Sequence, residues 1–226
     1  MTVNYQLLIN GLSQERLNTY SNHQTLGQKE TIQAYKYNVL LSAEVFKAIS
    51  VLEVALRNSI SQAWNAKLNC SDWPMNKKEI DPTSNKNADL IKSIDEAIKD
   101  AGHPPKNPKV IANLSFGKWL QFLQPRFAKI NNSILEKVFP NYKIDYTKLR
   151  SQQVQDIYRQ FEAIKILRNR VAHHEPIFKD KNLNDKFESI FECLNWINSE
   201  MHILIDRSEF DRLLKEGPSS VIVNGF

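Results

Sequence analysis

The sequence predicts an all-α protein. Only 6 of its 226 residues are glycine, so long stretches run without the residue that most often ends regular structure. Those stretches are rich in helix formers, and their apolar residues recur at helical spacing. The clearest case is Leu41, Val45, Ile49, Leu52, Leu56 and Ile60, which step by four, four, three, four and four along one helix face. Glu44, Lys47, Glu53 and Arg57 fall off that stripe.

Taken in order, Tyr5 to Tyr20 predicts a short helix and Lys29 to Leu68 a long one. NCSDWPMNKKEIDPTSNKN, residues 69–87, is a polar loop with two prolines. Ala88 to Ala101 predicts a helix stopped by Gly102 and the following HPPKNP, where proline forbids continuation. Residues 102–108 are therefore a candidate internal boundary. VIANLSFGKWLQFL, Val110 to Leu123, predicts a helix pair, or one helix broken at Ser115–Gly117, deep in the core. Ile134 to Phe139 is a short element ending at Pro140. A second long helix starts near Tyr146 or Ser151 and runs to a pair of histidines, and Leu183 to Ile205 closes the series. Residues 1–210 are thus expected to form a single all-helical domain, a bundle with additional helices. Residues 211–226 are expected to be a C-terminal tail, with GPSSVIVNGF either unstructured or an edge segment.

Composition narrows the function. Two cysteines, Cys70 and Cys193, are too few and too distant for a disulfide framework or zinc cluster, and read as reduced thiols of a cytoplasmic protein. The N-terminus lacks an apolar core flanked by basic residues, and no run approaches the roughly 20 apolar residues of a membrane helix. A net charge of +5 and a pI near 9.1 are compatible with a polyanionic partner without demanding one. Gly-rich phosphate loops, HExxH and CxxC are all missing, so no nucleotide cofactor or metal is expected.

What remains is LRNRVAHHEPIF, Leu167 to Phe178, at the end of the second long helix. Residues seven apart on a helix point nearly the same way, so Arg168 follows Val154 and Phe161 along the apolar stripe. A guanidinium there needs a partner, because an unpaired buried charge costs several kcal/mol. A carboxylate such as Glu162 would serve, and so would a phosphate, which suits arginine's planar fork. His173 is four after Asn169 and shares its face, in the last turn. His174, seven after Leu167, is expected to point toward the core in a structural role. Arg168, Asn169 and His173 then form a ridge able to hold a phosphate and move a proton, with Arg170 and His174 as candidate auxiliary residues. The pair Arg57–Asn58 in LEVALRNSI has no following histidine and is expected to be structural.

RNRVAHH resembles the signature of the HEPN superfamily: Arg, a polar residue that is often Asn, then His after four to six residues. LEVALRNSI, LSFGKWLQFL and LRNRVAHHEPIF, in that order, resemble bacterial abortive-infection proteins of the Abi-like (AbiD/AbiF) group. The resemblance spans roughly Lys29 to Leu204. It implies an all-helical HEPN bundle and metal-independent cleavage of RNA as part of phage defence, by abortive infection or as a toxin with an antitoxin. His173 would be the general acid or base, Arg168 would stabilise the phosphoryl transition state, and Asn169 would orient either the histidine or the phosphate. Cleavage would leave 2′,3′-cyclic phosphate or 3′-phosphate ends. The implied partners are an RNA substrate, a structured regulatory RNA, a second copy of the chain, and an antitoxin RNA or protein. With one complete motif per chain, the family's composite site would need a homodimer.

The alternative is a non-catalytic HEPN module that binds RNA or a protein. An intact Arg168, Asn169 and His173 set argues against it, since a scaffold has no chemical need for those three. Toxicity on expression, and its loss in His173→Ala, would separate the two.

Overall fold

The stripe from Leu41 to Ile60 lies on one 41-residue helix, and each of its six members is at most 1% exposed. Fully burying such a side chain contributes about 1.5–3 kcal/mol, so this one face accounts for much of the helix's stability. The computed structural model describes residues 4–21, 27–75, 85–124 and 127–223. Its helices are α1 (Tyr5–Leu12), α2 (Gln14–Asn18), α3 (Gln28–Leu68), α4 (Asn85–Asp100), α5 (Asn107–Asn113), α6 (Phe116–Gln121), α7 (Ala128–Val138), α8 (Arg150–Ala172), α9 (Leu183–Ile197) and α10 (Ser208–Glu216). Among the described residues there is no strand, and no helix is long and apolar enough to cross a membrane. The fold class is all-α.

The chain divides into two compact units, one of residues 1–49, 166–188 and 205–226, the other of residues 50–165 and 189–204. The stretch 102–108, a candidate boundary in the sequence, connects α4 to α5 inside the second unit. Of the loop expected at 69–87, residues 76–84 lie outside the described set.

The core of the second unit is aromatic. Trp64, Trp73, Trp119, Phe122 and Phe127 are buried. Phe122 lies 5.0 Å from Trp64, 5.2 Å from Trp73 and 5.5 Å from Trp119, ring centre to ring centre. Such pairs add about 0.5–1.5 kcal/mol each beyond their burial. The block LSFGKWLQFL therefore builds a core. The expected pair of helices forms, with the break at Leu114 and Ser115 between α5 and α6 and with Gly117 helical inside α6.

In the first unit α1 and α2 divide at Ser13, whose φ of 66° is left-handed, so the single helix expected over Tyr5 to Tyr20 is two. The expected tail needs correcting. Helix α10 runs through Glu216, with Phe210 and Leu213 fully buried and the Phe210 ring stacked on Phe187 at 3.6 Å. Beyond it Val221 is buried, and its carbonyl accepts a hydrogen bond from Gln33 at 3.0 Å. The three-residue step from Phe210 to Leu213 is the sequence trace of this helix, which ends just before the turn-rich GPSS. Helix α9 likewise stops at Ile197, and a 3₁₀ stretch, Ser199–Leu204, completes the segment expected to be helical to Ile205.

Candidate active site

Helix α8 carries the motif at its C-terminal end. Leu167 and Val171, in this last turn, are buried, and the turn belongs to the first unit. Arg168 is half-buried. Its Nε is shielded from solvent and has no acceptor, and its guanidinium forms no hydrogen bond or ion pair with any described residue. The carboxylate considered as its partner, Glu162, is bonded instead to Lys165 at 2.5 Å. Asn169 and His173 are exposed one turn apart, and their side chains are equally unengaged with described residues. Ile166, 53% exposed, lies three residues before Asn169 and seven before His173, on the same face.

Arg170 on the same turn is different. Its NH1 donates to Asp180 at 2.9 Å, its NH2 to the Pro176 carbonyl at 3.1 Å, and its Nε to Glu175 at 3.3 Å. All three nitrogens hold the loop that follows the helix. Asp180 also receives Lys186 at 2.6 Å. Burial alone would raise the Asp180 carboxyl, but Lys186, the Asn182 N–H and Arg170 outweigh it and hold it below its ordinary value.

The helix ends at Ala172 in a paired-bond turn. The Glu175 N–H reaches back to the Arg170 carbonyl at 2.9 Å and the His174 N–H to the Val171 carbonyl at 3.0 Å. This is the Schellman arrangement, which requires a left-handed residue where glycine is usual. His174 occupies that position with φ 55°. The expectation that His174 faces the core is therefore wrong: its side chain is exposed. Counting seven from Leu167 presumes a helix that continues, and the backbone has already reversed.

Side chains distant in sequence hold this turn in place. NH1 of Arg16 donates to the His174 carbonyl at 2.9 Å and to the His173 carbonyl at 3.4 Å. Tyr20 donates to the His174 carbonyl at 3.2 Å. Burial, reinforced by Tyr35, pushes the Tyr20 phenol above its ordinary value, so it stays a donor. Asn38, 2% exposed on α3, gives its Nδ2 to Tyr20 and to the Glu175 carbonyl, and its Oδ1 accepts from Ile177 at 2.7 Å. Phe178 packs between Tyr20 and Tyr37, at 6.0 and 5.8 Å.

The model of the Abi-like protein family matches residues 3–179, more than three quarters of the 226-residue chain. The chain belongs to the Abi-like family. No curated protein and no solved structure matches it. The family match takes in α1 and α2 as well as the motif turn, and closes at Lys179.

In this Abi-like chain, then, Arg168, Asn169 and His173 share a helix end and their side chains make no bonds with described residues, while Arg170 is fully engaged and His174 supplies a backbone conformation. Among the described residues no three His, Cys, Asp or Glu side chains come together as metal ligands would. Arg57, in the second unit, is half-buried with an unbonded Nε, and Asn58 is exposed. Sequence reading missed Arg16, Tyr20 and Asn38. Only Asn38 left a trace, a polar residue three positions before Leu41 on a stripe that is otherwise apolar.

Proposed function

We propose that this Abi-like protein is a HEPN-type, AbiD/AbiF-like endoribonuclease that cleaves RNA without a metal and acts in phage defence, by abortive infection or as the toxin of a toxin–antitoxin pair in the cytoplasm. Family membership points to abortive infection. One observation carries the chemistry: three side chains suited to phosphoryl transfer stand at one helix end without structural partners, beside an arginine that has three. Buried donors are normally satisfied, and an unsatisfied one on a guanidinium suits an anion to come. In the reaction His173 exchanges a proton with the ribose 2′-hydroxyl or the leaving oxygen. Arg168 offsets the charge that builds on the phosphoryl oxygens, and Asn169 orients the phosphate or the imidazole.

Acid–base cleavage needs a proton acceptor and a proton donor, and one chain offers one set of Arg168, Asn169 and His173 on the α8 face. A two-fold homodimer supplies both from one patch. The exposed Ile166 on the Asn169 and His173 face gives that patch an apolar component.

The test is purified protein with single-stranded RNA in the presence of a chelator. Cleavage leaving 2′,3′-cyclic or 3′-phosphate ends, lost in His173→Ala together with toxicity on expression, is the expected result. Activity that survives His173→Ala refutes the assignment. Mixing Arg168→Ala with His173→Ala subunits should restore part of the activity, and full activity in a demonstrated monomer would overturn the dimer.

A further inference from the structure

Arg16 reaches the motif from 157 residues earlier in the chain. Its NH1 sits on the last carbonyls of α8 and its turn, those of His173 and His174, at the negative end of that helix. Its own backbone is anchored too: Thr19 bonds the Arg16 carbonyl through both its N–H and its hydroxyl, and Lys179 donates to the Thr19 carbonyl at 2.5 Å. Arg16, a half-buried residue, is thus held at its backbone by Thr19 and at its guanidinium by the His173 and His174 carbonyls.

Capping a helix end uses only NH1. The Nε and NH2 nitrogens, which form the side edge of the guanidinium, have no partner among the described residues. Two parallel N–H groups on that edge match two oxygens of a phosphate. Arg170 shows what a purely structural arginine looks like here, with no edge left over. A guanidinium already held in one place also loses less conformational freedom when a ligand arrives.

We infer that Arg16 is a further substrate-binding residue, a second arginine that grips a phosphate of the RNA strand whose cleavage Arg168 and His173 perform. The inference rests on the RNA-cleaving reading. It makes α2 part of the site, and it gives each chain two unengaged guanidinium edges at the same helix end.

The experiment measures binding of the full-length protein to a 2′-O-methyl RNA strand, which cannot be cleaved, over a series of salt concentrations. Wild type should lose affinity steeply with salt. In Arg16→Gln the slope of log K against log salt should fall by about 0.7, the contribution of one single-strand phosphate contact, with affinity at low salt about tenfold weaker. Arg16→Lys should keep the slope and lose affinity, because an ammonium keeps the charge without the paired donors. Arg170→Gln should lower the melting temperature and leave the slope unchanged. An unchanged slope in Arg16→Gln makes Arg16 a helix cap alone and overturns the inference, as does wild-type affinity in Arg16→Lys. Wild-type protein that binds no RNA at any salt concentration refutes the RNA-cleaving reading itself, and this inference with it.

Discussion

Asn38 and Ile177 are joined across 139 residues of chain by a 2.7 Å hydrogen bond between two fully buried groups. The same amide donates to Glu175 and Tyr20, so one side chain bonds both ends of the four-residue stretch after the histidine turn, alongside Arg170. A buried network of this kind is strong when complete and costly when broken.

Asn38→Ala should therefore destabilise the protein by about 2–3 kcal/mol, since it strands the Ile177 N–H and removes two acceptors' partners. Urea unfolding measures this directly. A loss below about 0.5 kcal/mol, the range of ordinary surface changes, would mean that the loop is held by other contacts.

His174→Gly should raise stability, by up to about 1 kcal/mol. A side chain in the left-handed region costs about 1–2 kcal/mol, and part of that gain is returned as chain entropy in the unfolded state. His174→Ala, by contrast, leaves the strained Cβ in place. Thermal unfolding of the pair tests it, and a glycine variant less stable than wild type would show that the imidazole makes contacts of its own.

The two arginines of the last turn should separate cleanly. Arg170→Ala should cost about 1–3 kcal/mol, because it releases Asp180, Glu175 and the Pro176 carbonyl at once. Arg168→Ala should stay within about 1 kcal/mol of wild type, losing only stem packing, while abolishing RNA cleavage. Equal stability losses in urea would contradict the division of roles.

Asp180 predicts the acid side of the stability profile. Its carboxyl is held below its ordinary value in the folded state. Its contribution is therefore complete above the unfolded pKa of about 3.9 and disappears as pH falls through the lower folded value. Stability measured from pH 6 down to about 2 should drop less steeply in Asp180→Asn than in wild type. Parallel profiles would show that the carboxylate titrates alike in both states.

Much of this was legible in the sequence. The stripe on α3 has a period that only a helix explains, and the break inside VIANLSFGKWLQFL falls at Ser115, while Gly117 is helical within α6. Arg168 was placed on the apolar side of α8 by the same arithmetic, and the structure buries its Nε. That arithmetic failed at His174 because it has no way to register a chain reversal with histidine in the usual place of glycine. The clamp was beyond it altogether: Arg16 and Asn38 meet the motif across 137 to 158 residues, and no local pattern encodes such a meeting. At the C-terminal end the expected tail from residue 211 begins inside α10, a helix too short for the spacing of Phe210 and Leu213 to stand out as a period.

The distance between Arg16 and His174 also has a meaning in time. A ribosome makes α2 early and the histidine turn only after about three quarters of the chain, so the clamp waits, incomplete, through most of synthesis. Contacts of such long range form only once both ends have emerged. For a protein proposed to cleave RNA, a half-made chain is then a harmless one.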